Sequence, residues 1–317
     1  MKTSVTSFFF RRGSRTGLAL AALSMAFIVV PVDKSSAVIT TPGLGATTQP
    51  LGSPGTFSNL VFNDSFTGPA VDTNSWEPGW LSQPTDTYSS CDVTVGKQYV
   101  GGTGGLFLSS EGVGTSKTIA GTPCPAPSGS SASYQGGAIQ GKFSFTYGYV
   151  EAKIWLPSSS SGKIANWPAL WLFNGNAKGN HQEIDIMEGL GGLAGASVHM
   201  QVPTASLKVD HTQMVAGDFT GWHTYGADWE QGSTKFYYDG KLVYTYTGAV
   251  GADPMYPILN YAANPAVASS WVATTTKNYE RMQVSYVRIW QNTVNLQSTP
   301  ALGNYTDPCP GSTSLTC

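Results

Sequence analysis

The sequence predicts an all-β protein, built as one antiparallel sandwich or barrel, from three observations. From about residue 60 to residue 291, short runs of alternating apolar residues are separated by Gly, Asn, Asp and Pro. These runs are rich in aromatic and β-branched residues, which are typical of strands. After the first 37 residues no stretch repeats apolar residues with the 3.6-residue period of a helix, so helices should be few. About 230 residues of such strands predict a single domain.

The first 37 residues have the composition of a signal peptide. A basic segment at residues 11–15 precedes an apolar stretch at residues 17–30, and small residues favour cleavage after Ala37. The apolar stretch is shorter than the ~20 residues that a membrane span needs. We therefore expect a secreted, extracellular protein. The Arg11-Arg12 pair leaves both general and twin-arginine export open.

Removal of this peptide makes the chain acidic. The remaining 280 residues carry 12 Lys and Arg against 18 Asp and Glu, which gives a net charge of −6. An acidic protein without a basic run does not fit binding to nucleic acid or to an anionic membrane. We expect a monomer with neither of these partners.

Four cysteines remain after cleavage, and they fit an exported protein. Cys91, Cys124, Cys309 and Cys317 do not have the spacing of a zinc site. In an oxidising compartment two disulfides are expected, and three pairings are possible. We favour Cys91–Cys124 and Cys309–Cys317 because each closes a local loop.

Composition also sets the boundaries of the strand-rich domain. Residues 38–59 are rich in Thr, Gly and Pro and predict a leader or linker, and residues 60–291 carry the strands. Within them, Asp239-Gly240 separates two apolar runs and predicts a tight hairpin turn. The apolar pattern stops at residue 292, so residues 292–317 predict a C-terminal extension that is too short for a second domain.

One run, residues 183–188, combines three carboxylates with the apolar pattern of a buried strand. Only 11% of the chain is charged, against about 25% in an ordinary globular domain, so the cluster is not expected by chance. Side chains alternate along a strand, which places Glu183 and Asp185 on one face but turns Glu188 into the core. An unpaired carboxylate there costs several kcal/mol. We therefore predict a β-bulge near Ile186–Met187 that returns Glu188 to the face of the other two.

Paired carboxylates on one face suit the cleavage of a glycosidic bond, which needs one acid and one nucleophile or base. A solvated edge strand or an acidic calcium-binding loop would also place carboxylates close together. The residues before the run favour the first interpretation, because Trp167 and Trp171 offer flat rings on which the apolar faces of sugars can stack. A role in the core is the alternative for both tryptophans. Trp271, in a loop rich in Ser, Thr and Ala, is a further candidate platform.

The pattern E-x-D-x-x-E at residues 183–188, preceded by W-P-A-x-W at residues 167–171, resembles the signature of glycoside hydrolase family 16. Other segments resemble the same family in the same order, from F-x-D-x-F at residues 62–66 to the closing strand at residues 286–290. The resemblance implies a β-jelly-roll sandwich, similar to concanavalin A, with an open cleft on its concave face. It also implies that Glu183 is the nucleophile, Glu188 the general acid/base and Asp185 the residue that tunes the pair.

The resemblance adds two candidate substrate contacts and leaves calcium open. The family often has a histidine where His199 stands, and antiparallel pairing would bring His199 beside the carboxylates. Asn260 is a candidate for binding sugar hydroxyls. Ser285 stands where many members carry an aspartate that helps to bind a structural calcium, which weakens that site. We assign no metal and no cofactor to the catalytic residues, and a structural calcium stays open.

The function expected from these features is that of a secreted endo-acting glycosidase. The bulged pattern resembles the laminarinase-like branch, which implies hydrolysis of β-1,3-glucan or mixed β-1,3/1,4-glucan with retention of configuration, and a polysaccharide as partner. Three alternatives remain: a galactan hydrolase similar to agarases and carrageenases, a transglycosylase of the same fold, and a lectin that binds sugar without cleaving it.

Overall fold

A computed structural model of the chain describes residues 49–52, 57, 59–78, 85–86, 92–93, 98–101, 105–112, 118–119, 122–123, 134–135, 137–159, 161–175, 180–190, 192–201, 208–248, 250–262, 279–292 and 303–304. All of them belong to one compact unit, Ala37–Cys317. The predicted signal peptide, the four cysteines and Trp271 lie outside the described residues. Within these ranges every regular element is a strand, and no helix long and apolar enough to cross a membrane is present.

The strands follow one another along the whole described part of the chain. They are β1 (Asn59–Asp64), β2 (Trp76–Pro78), β3 (Thr85–Asp86), β4 (Asp92–Val93), β5 (Gln98–Gly101), β6 (Gly105–Gly112), β7 (Thr118–Ile119), β8 (Thr122–Pro123), β9 (Tyr134–Gln135), β10 (Gly137–Gly141), β11 (Phe143–Ser144), β12 (Gly148–Leu156), β13 (Trp167–Phe173), β14 (Gln182–Leu190), β15 (Leu193–Gln201), β16 (Lys208–Val215), β17 (Gly221–Glu230), β18 (Ser233–Tyr238), β19 (Lys241–Thr247), β20 (Tyr256–Ala262), β21 (Tyr279–Gln291) and β22 (Gly303–Asn304).

Two large antiparallel sheets pack face to face. The first sheet has the order β19-β18-β17-β12-β21-β6-β5, with β1 on β21 and β9 on β6, and the second has the order β16-β15-β14-β13-β20-β10-β2. Strands that are distant in sequence become neighbours, as when β13 lies between β14 and β20. This arrangement confirms the predicted all-β jelly-roll sandwich.

The core lies between the two sheets and is built from alternate residues of their central strands. Val150, Ala152 and Ile154 of β12 are fully buried, and they share one hydrophobic cluster with Ile184 and Ile186 of β14. Because the side-chain period of a strand is two, the intervening residues of each strand face outward. The outer face of the second sheet is therefore not part of the core between the sheets and can carry a functional site.

The hairpin predicted at Asp239-Gly240 is confirmed. It joins β18 to β19, and both turn residues have positive φ angles, 49° and 73°. Positive φ at both central positions is the geometry whose twist matches that of two antiparallel strands. Asp239 also accepts a hydrogen bond from the amide of Thr224 at 2.9 Å, so the turn is fixed to β17.

Part of the predicted leader packs on the outer face of the first sheet. Phe57 is 1% exposed and its ring lies 5.6 Å from that of Tyr149. The amide of Leu51 donates to Glu151 Oε2 at 2.6 Å, and the hydroxyl of Tyr149 donates to the carbonyl of Leu51 at 3.0 Å. Burial raises the pKa of Glu151. These contacts join the leader to a partly desolvated carboxyl of β12, which composition alone does not reveal.

Candidate active site

The catalytic strand carries the predicted bulge. On β13, the consecutive residues Leu170 and Trp171 pair with Met187 and Asp185. Ile186, which lies between Asp185 and Met187, therefore has no partner on β13. On the β15 side the register also shifts between Asp185 and Glu188. Two residues of β14 thus face one residue of each neighbour, which defines a bulge. The prediction of an extra residue at Ile186–Met187 is confirmed.

The bulge places the three carboxylates on the outer face of the second sheet. Ile186 and Met187 are both fully buried in the core, whereas Glu183 and Glu188 are half-buried and Asp185 is 5% exposed. The residues paired with these carboxylates on β13 belong to one cluster, separate from the core, which contains Ala169, Trp171, Phe173, Tyr256 and Ile258. Residues directly opposite each other share a face, so the carboxylates lie on the face of this cluster.

Trp167 lies directly beside the expected acid. Its indole Nε1 donates a hydrogen bond to Glu188 Oε1 at 2.8 Å, and its side chain is half-buried. A hydrogen bond to a carboxylate is shorter and stronger than one between neutral groups. The bond fixes the direction of the carboxyl of Glu188 and places the indole of Trp167 beside it. Stacking of a sugar on this ring stays a prediction.

Trp171 and Asn260 form a second pair on the same face. Trp171 Nε1 donates to Asn260 Oδ1 at 2.8 Å, and the two residues are 9% and 3% exposed. The ring of Trp171 packs against that of Phe173 at 5.7 Å. Trp171 is therefore not part of the core between the sheets, but little of its surface faces solvent. Direct contact of either residue with a sugar stays a prediction.

Two histidines flank Glu183, and only one of them, His199, is predicted from the sequence. His199 pairs directly with Glu183 across β14 and β15, which confirms the predicted register, although its side chain lies outside the described part of the structure. His181 was not expected at the site. Its Nε2 lies 3.1 Å from Glu183 Oε2, and its ring packs against Phe173. His181 stands immediately before β14 and two residues before Glu183, and this spacing is the signal that could have identified it.

The sequence leaves a structural calcium open, so the arrangement of possible ligands in the described residues bears on it. Within it, no set of three or more His, Cys, Asp or Glu side chains is arranged to hold a metal ion. Ser285 is half-buried on β21, where the resemblance would place an aspartate. A hydroxyl is a weaker ligand for a hard cation than a carboxylate. Binding of a structural calcium stays an open prediction.

Comparison of the sequence with known proteins agrees with the geometry. The model of the family "Glycosyl hydrolases family 16" matches residues 106–288, which is more than half of the chain. This range includes the bulged strand and the tryptophan segment before it.

Three curated relatives match the chain at 25% to 30% identity. The chain is 25% identical over 265 residues to glucan endo-1,3-beta-glucosidase A1 of Niallia circulans, covering 74% of this chain and 38% of the relative. It is 30% identical over 124 residues to endo-1,3-1,4-beta-glycanase ExsH of Rhizobium meliloti (38% of this chain, 25% of the relative). It is 28% identical over 184 residues to keratan-sulfate endo-1,4-beta-galactosidase of Sphingobacterium multivorum (51% and 42%). The chain thus spans less than half the length of each of these relatives.

Solved structures share the fold at low identity. The catalytic domain of an endo-1,3-beta-glucanase (laminarinase) from Thermotoga petrophila has a TM-score of 0.55 at 22% identity, covering 74% of this chain and 98% of that domain. Porphyranase B from Zobellia galactanivorans has a TM-score of 0.59 at 17% identity, covering 77% and 99%. These structural similarities show the fold, and the family model, which matches more than half of the chain, shows that the chain belongs to the glycosyl hydrolases of family 16.

Proposed function

We propose that the chain is a secreted, retaining endo-β-glucanase that hydrolyses β-1,3-glucan or mixed β-1,3/1,4-glucan. The observation that carries this proposal is the bulged strand, which presents Glu183, Asp185 and Glu188 on one face, with Trp167 donating to Glu188. The two relatives from Niallia circulans and Rhizobium meliloti, named as an endo-1,3-beta-glucosidase and an endo-1,3-1,4-beta-glycanase, support the choice of substrate.

The roles follow from the chemistry of a glycosidic bond, which breaks through an oxocarbenium-like transition state. Glu188 gives its proton to the leaving oxygen while ionised Glu183 attacks the anomeric carbon, which forms a covalent glycosyl-enzyme and releases the first product. Water then attacks the same carbon, passes a proton to Glu188 and frees Glu183 as a carboxylate. Two inversions at one carbon give net retention.

Asp185 lies between the two glutamates, and its charge would help to keep Glu188 protonated before the reaction. It is almost fully buried, so its carboxyl is poorly screened by solvent. Carboxylates that share a site disfavour further negative charge on one another, which favours a protonated Glu188 before the reaction. We also assign to Asp185 the positioning of Glu183, two residues earlier on the same face.

The substrate is tested by release of reducing sugar from laminarin, lichenan, agarose and carrageenan, with the Glu188→Gln variant as the inactive control. Release from laminarin or lichenan is the expected result. Longer oligosaccharides formed in place of reducing sugar would identify a transglycosylase. Binding to these polymers without any release would identify a lectin and overturn the proposal.

A galactan hydrolase is the second candidate. A relative named keratan-sulfate endo-1,4-beta-galactosidase and the structural likeness to a porphyranase favour it. The same assay, extended to keratan sulfate and porphyran, decides between the two, because the second candidate would release sugar from one of the galactose-containing polymers and leave laminarin intact.

The stereochemistry is tested separately from the substrate. Proton NMR of the first product is expected to show the β-anomer before mutarotation, and the α-anomer would refute retention. Azide supplied to Glu188→Ala with a dinitrophenyl β-glycoside should yield a β-glycosyl azide, because this leaving group departs without a proton and the covalent intermediate still forms. Azide supplied to Glu183→Ala should yield the α-azide, because azide then replaces the missing nucleophile. Exchange of these two outcomes would reverse the assigned roles.

Export is also part of the proposal. Cleavage after Ala37 predicts a mature protein that begins at Val38, which N-terminal sequencing of protein from the culture medium would check. Peptide mapping without reduction is expected to recover Cys91–Cys124 and Cys309–Cys317. A free thiol or another pairing would contradict the disulfide assignment.

A further inference from the structure

The bulge of β14 is contacted from the opposite sheet by a buried tyrosine. Tyr238 is the last residue of β18, in the first sheet, and is 2% exposed. Its hydroxyl lies 3.1 Å from the carbonyl oxygen of Ile186 and 2.9 Å from that of Gly195. Ile186 is the extra residue of the bulge, and Gly195 pairs with Glu188. The Tyr238 hydroxyl thus contacts the backbone of both β14 and β15 at the bulge.

A bulge interrupts the ladder of backbone hydrogen bonds, so a buried carbonyl there needs another donor. Tyr238 supplies that donor from within the core. Because a hydroxyl carries one hydrogen, the two carbonyls share it, and both strands are held at a fixed distance from the same atom. The backbone of Ile186 is two residues from Glu188, so its position sets the direction in which the carboxyl points.

The tyrosine itself has little freedom to move. Its ring packs edge-on against Phe219 at 5.2 Å and Tyr225 at 4.9 Å. The next residue, Asp239, accepts a hydrogen bond from the amide of Thr224 and lies 2.7 Å from Nδ1 of His223, so the chain is fixed immediately after Tyr238. Burial raises the pKa of Tyr238, and the neighbouring Tyr225 and the charges of Asp185 and Glu188 raise it further. The hydroxyl therefore stays protonated and remains a donor.

We propose that Tyr238 is a positioning residue for catalysis, which fixes the bulge through the carbonyls of Ile186 and Gly195 and so sets the direction of Glu188. This inference rests on the proposed roles of Glu188 and Glu183. It adds a residue of the opposite sheet whose hydroxyl contacts the backbone carbonyls of β14 and β15. Its contribution is to the geometry of proton transfer and not to the binding of the polysaccharide.

The test compares three variants on the substrate that the wild-type enzyme hydrolyses. Tyr238→Phe removes only the hydroxyl, and kcat is expected to fall about 10- to 100-fold, as small misplacements of catalytic groups do, with KM within about twofold. Tyr225→Phe is the matched control. Tyr225 is also buried and, like Tyr238, packs against the ring of Phe219. Its hydroxyl donates to the backbone carbonyl of Phe219 at 3.4 Å and not to the bulge. Tyr225→Phe should keep the wild-type kcat. Replacement of Tyr238 by 4-aminophenylalanine restores a donor and should recover most of the lost kcat.

A readout independent of activity separates this inference from the proposed function. Amide hydrogen exchange in Tyr238→Phe is expected to accelerate at β14 and β15 around the bulge and not in β12. If the wild-type enzyme hydrolyses none of the polymers, the proposed function fails, and the exchange result still reports on the role of Tyr238. An unchanged kcat in folded Tyr238→Phe would overturn the inference. So would failure of the 4-aminophenylalanine variant to recover activity, or a Tyr238→Phe chain that does not fold, because each marks the hydroxyl as a structural contact alone.

Discussion

The hydrogen bond from Trp167 to Glu188 gives the sharpest prediction about catalysis. The variant Trp167→Phe keeps a flat aromatic ring for the sugar but removes the N–H that lies 2.8 Å from Glu188 Oε1. Glu188 loses its proton in the transition state, so the bond from Trp167 then becomes one to a charged group. Such a bond contributes about 1.5–3 kcal/mol, and the half-buried position of Trp167 favours the lower value. Since about 1.4 kcal/mol corresponds to a factor of ten in rate, kcat/KM should fall about tenfold.

The assay uses two substrates that differ in their need for an acid. The first is a glucan oligosaccharide, whose leaving group must receive a proton from Glu188. The second is the corresponding dinitrophenyl glycoside, whose leaving group departs as an anion. If Trp167 acts by orienting Glu188, kcat/KM should fall for the first substrate and change much less for the second.

The matched control is Trp222→Phe. Trp222 is 41% exposed on β17 of the first sheet, remote from the carboxylates, and its replacement should leave both rates unchanged. An unchanged kcat/KM in Trp167→Phe would refute the reasoning. An equal loss on both substrates would also refute it, because it would show that the indole ring contributes through stacking and not through its N–H.

Three further predictions concern the carboxylates and the stability of the sandwich. Glu183→Gln and Glu188→Gln should each abolish hydrolysis while the melting temperature stays within a few degrees of the wild type; unfolding of both variants would show that the cluster is structural. Burial raises the pKa of Glu151 above its ordinary 4.5, so its contribution to stability is present at low pH and lost as the pH rises through the raised pKa. Glu151→Gln should therefore reduce the fall in unfolding free energy between pH 4.5 and neutrality, measured by urea denaturation, and parallel curves for both proteins would contradict this. Phe57→Ala should lower the free energy of unfolding by about 3 kcal/mol, as for a buried aromatic ring, and should lower the melting temperature. The control Leu242→Ala, at a 55% exposed position, should change neither. Equal melting temperatures for the two variants would show that the leader does not stabilise the sandwich.

The positions of the strands and of the carboxylates were predictable because both depend on local periodicity. Alternation of apolar residues fixed which side chains of β14 face the core, and the cost of burying Glu188 required one extra residue at Ile186–Met187. The pairing of β14 with β13 and with β15 confirms this extra residue. The turn at Asp239-Gly240 followed in the same way from residues that tolerate positive φ.

The surroundings of the carboxylates were only partly predictable. Trp167 and Trp171 were both expected near the site, but only Trp167 reaches Glu188, whereas Trp171 donates to Asn260. Which of two tryptophans on one strand reaches a given carboxylate depends on rotamers and on the neighbouring strand β20. That strand is about ninety residues away in sequence, so no local pattern records the contact.

The sequence by itself determined the all-β class, the face of each strand, the bulge and the three carboxylates, because a strand has a fixed period of two and an isolated buried charge is costly. The tertiary structure alone decided that Tyr238 reaches the bulge from the opposite sheet and that Phe57 packs on Tyr149 of β12. Both contacts join residues far apart in the chain. They arise from the way two sheets and a leader pack together, and packing depends on the shape of the whole core rather than on any short run of residues.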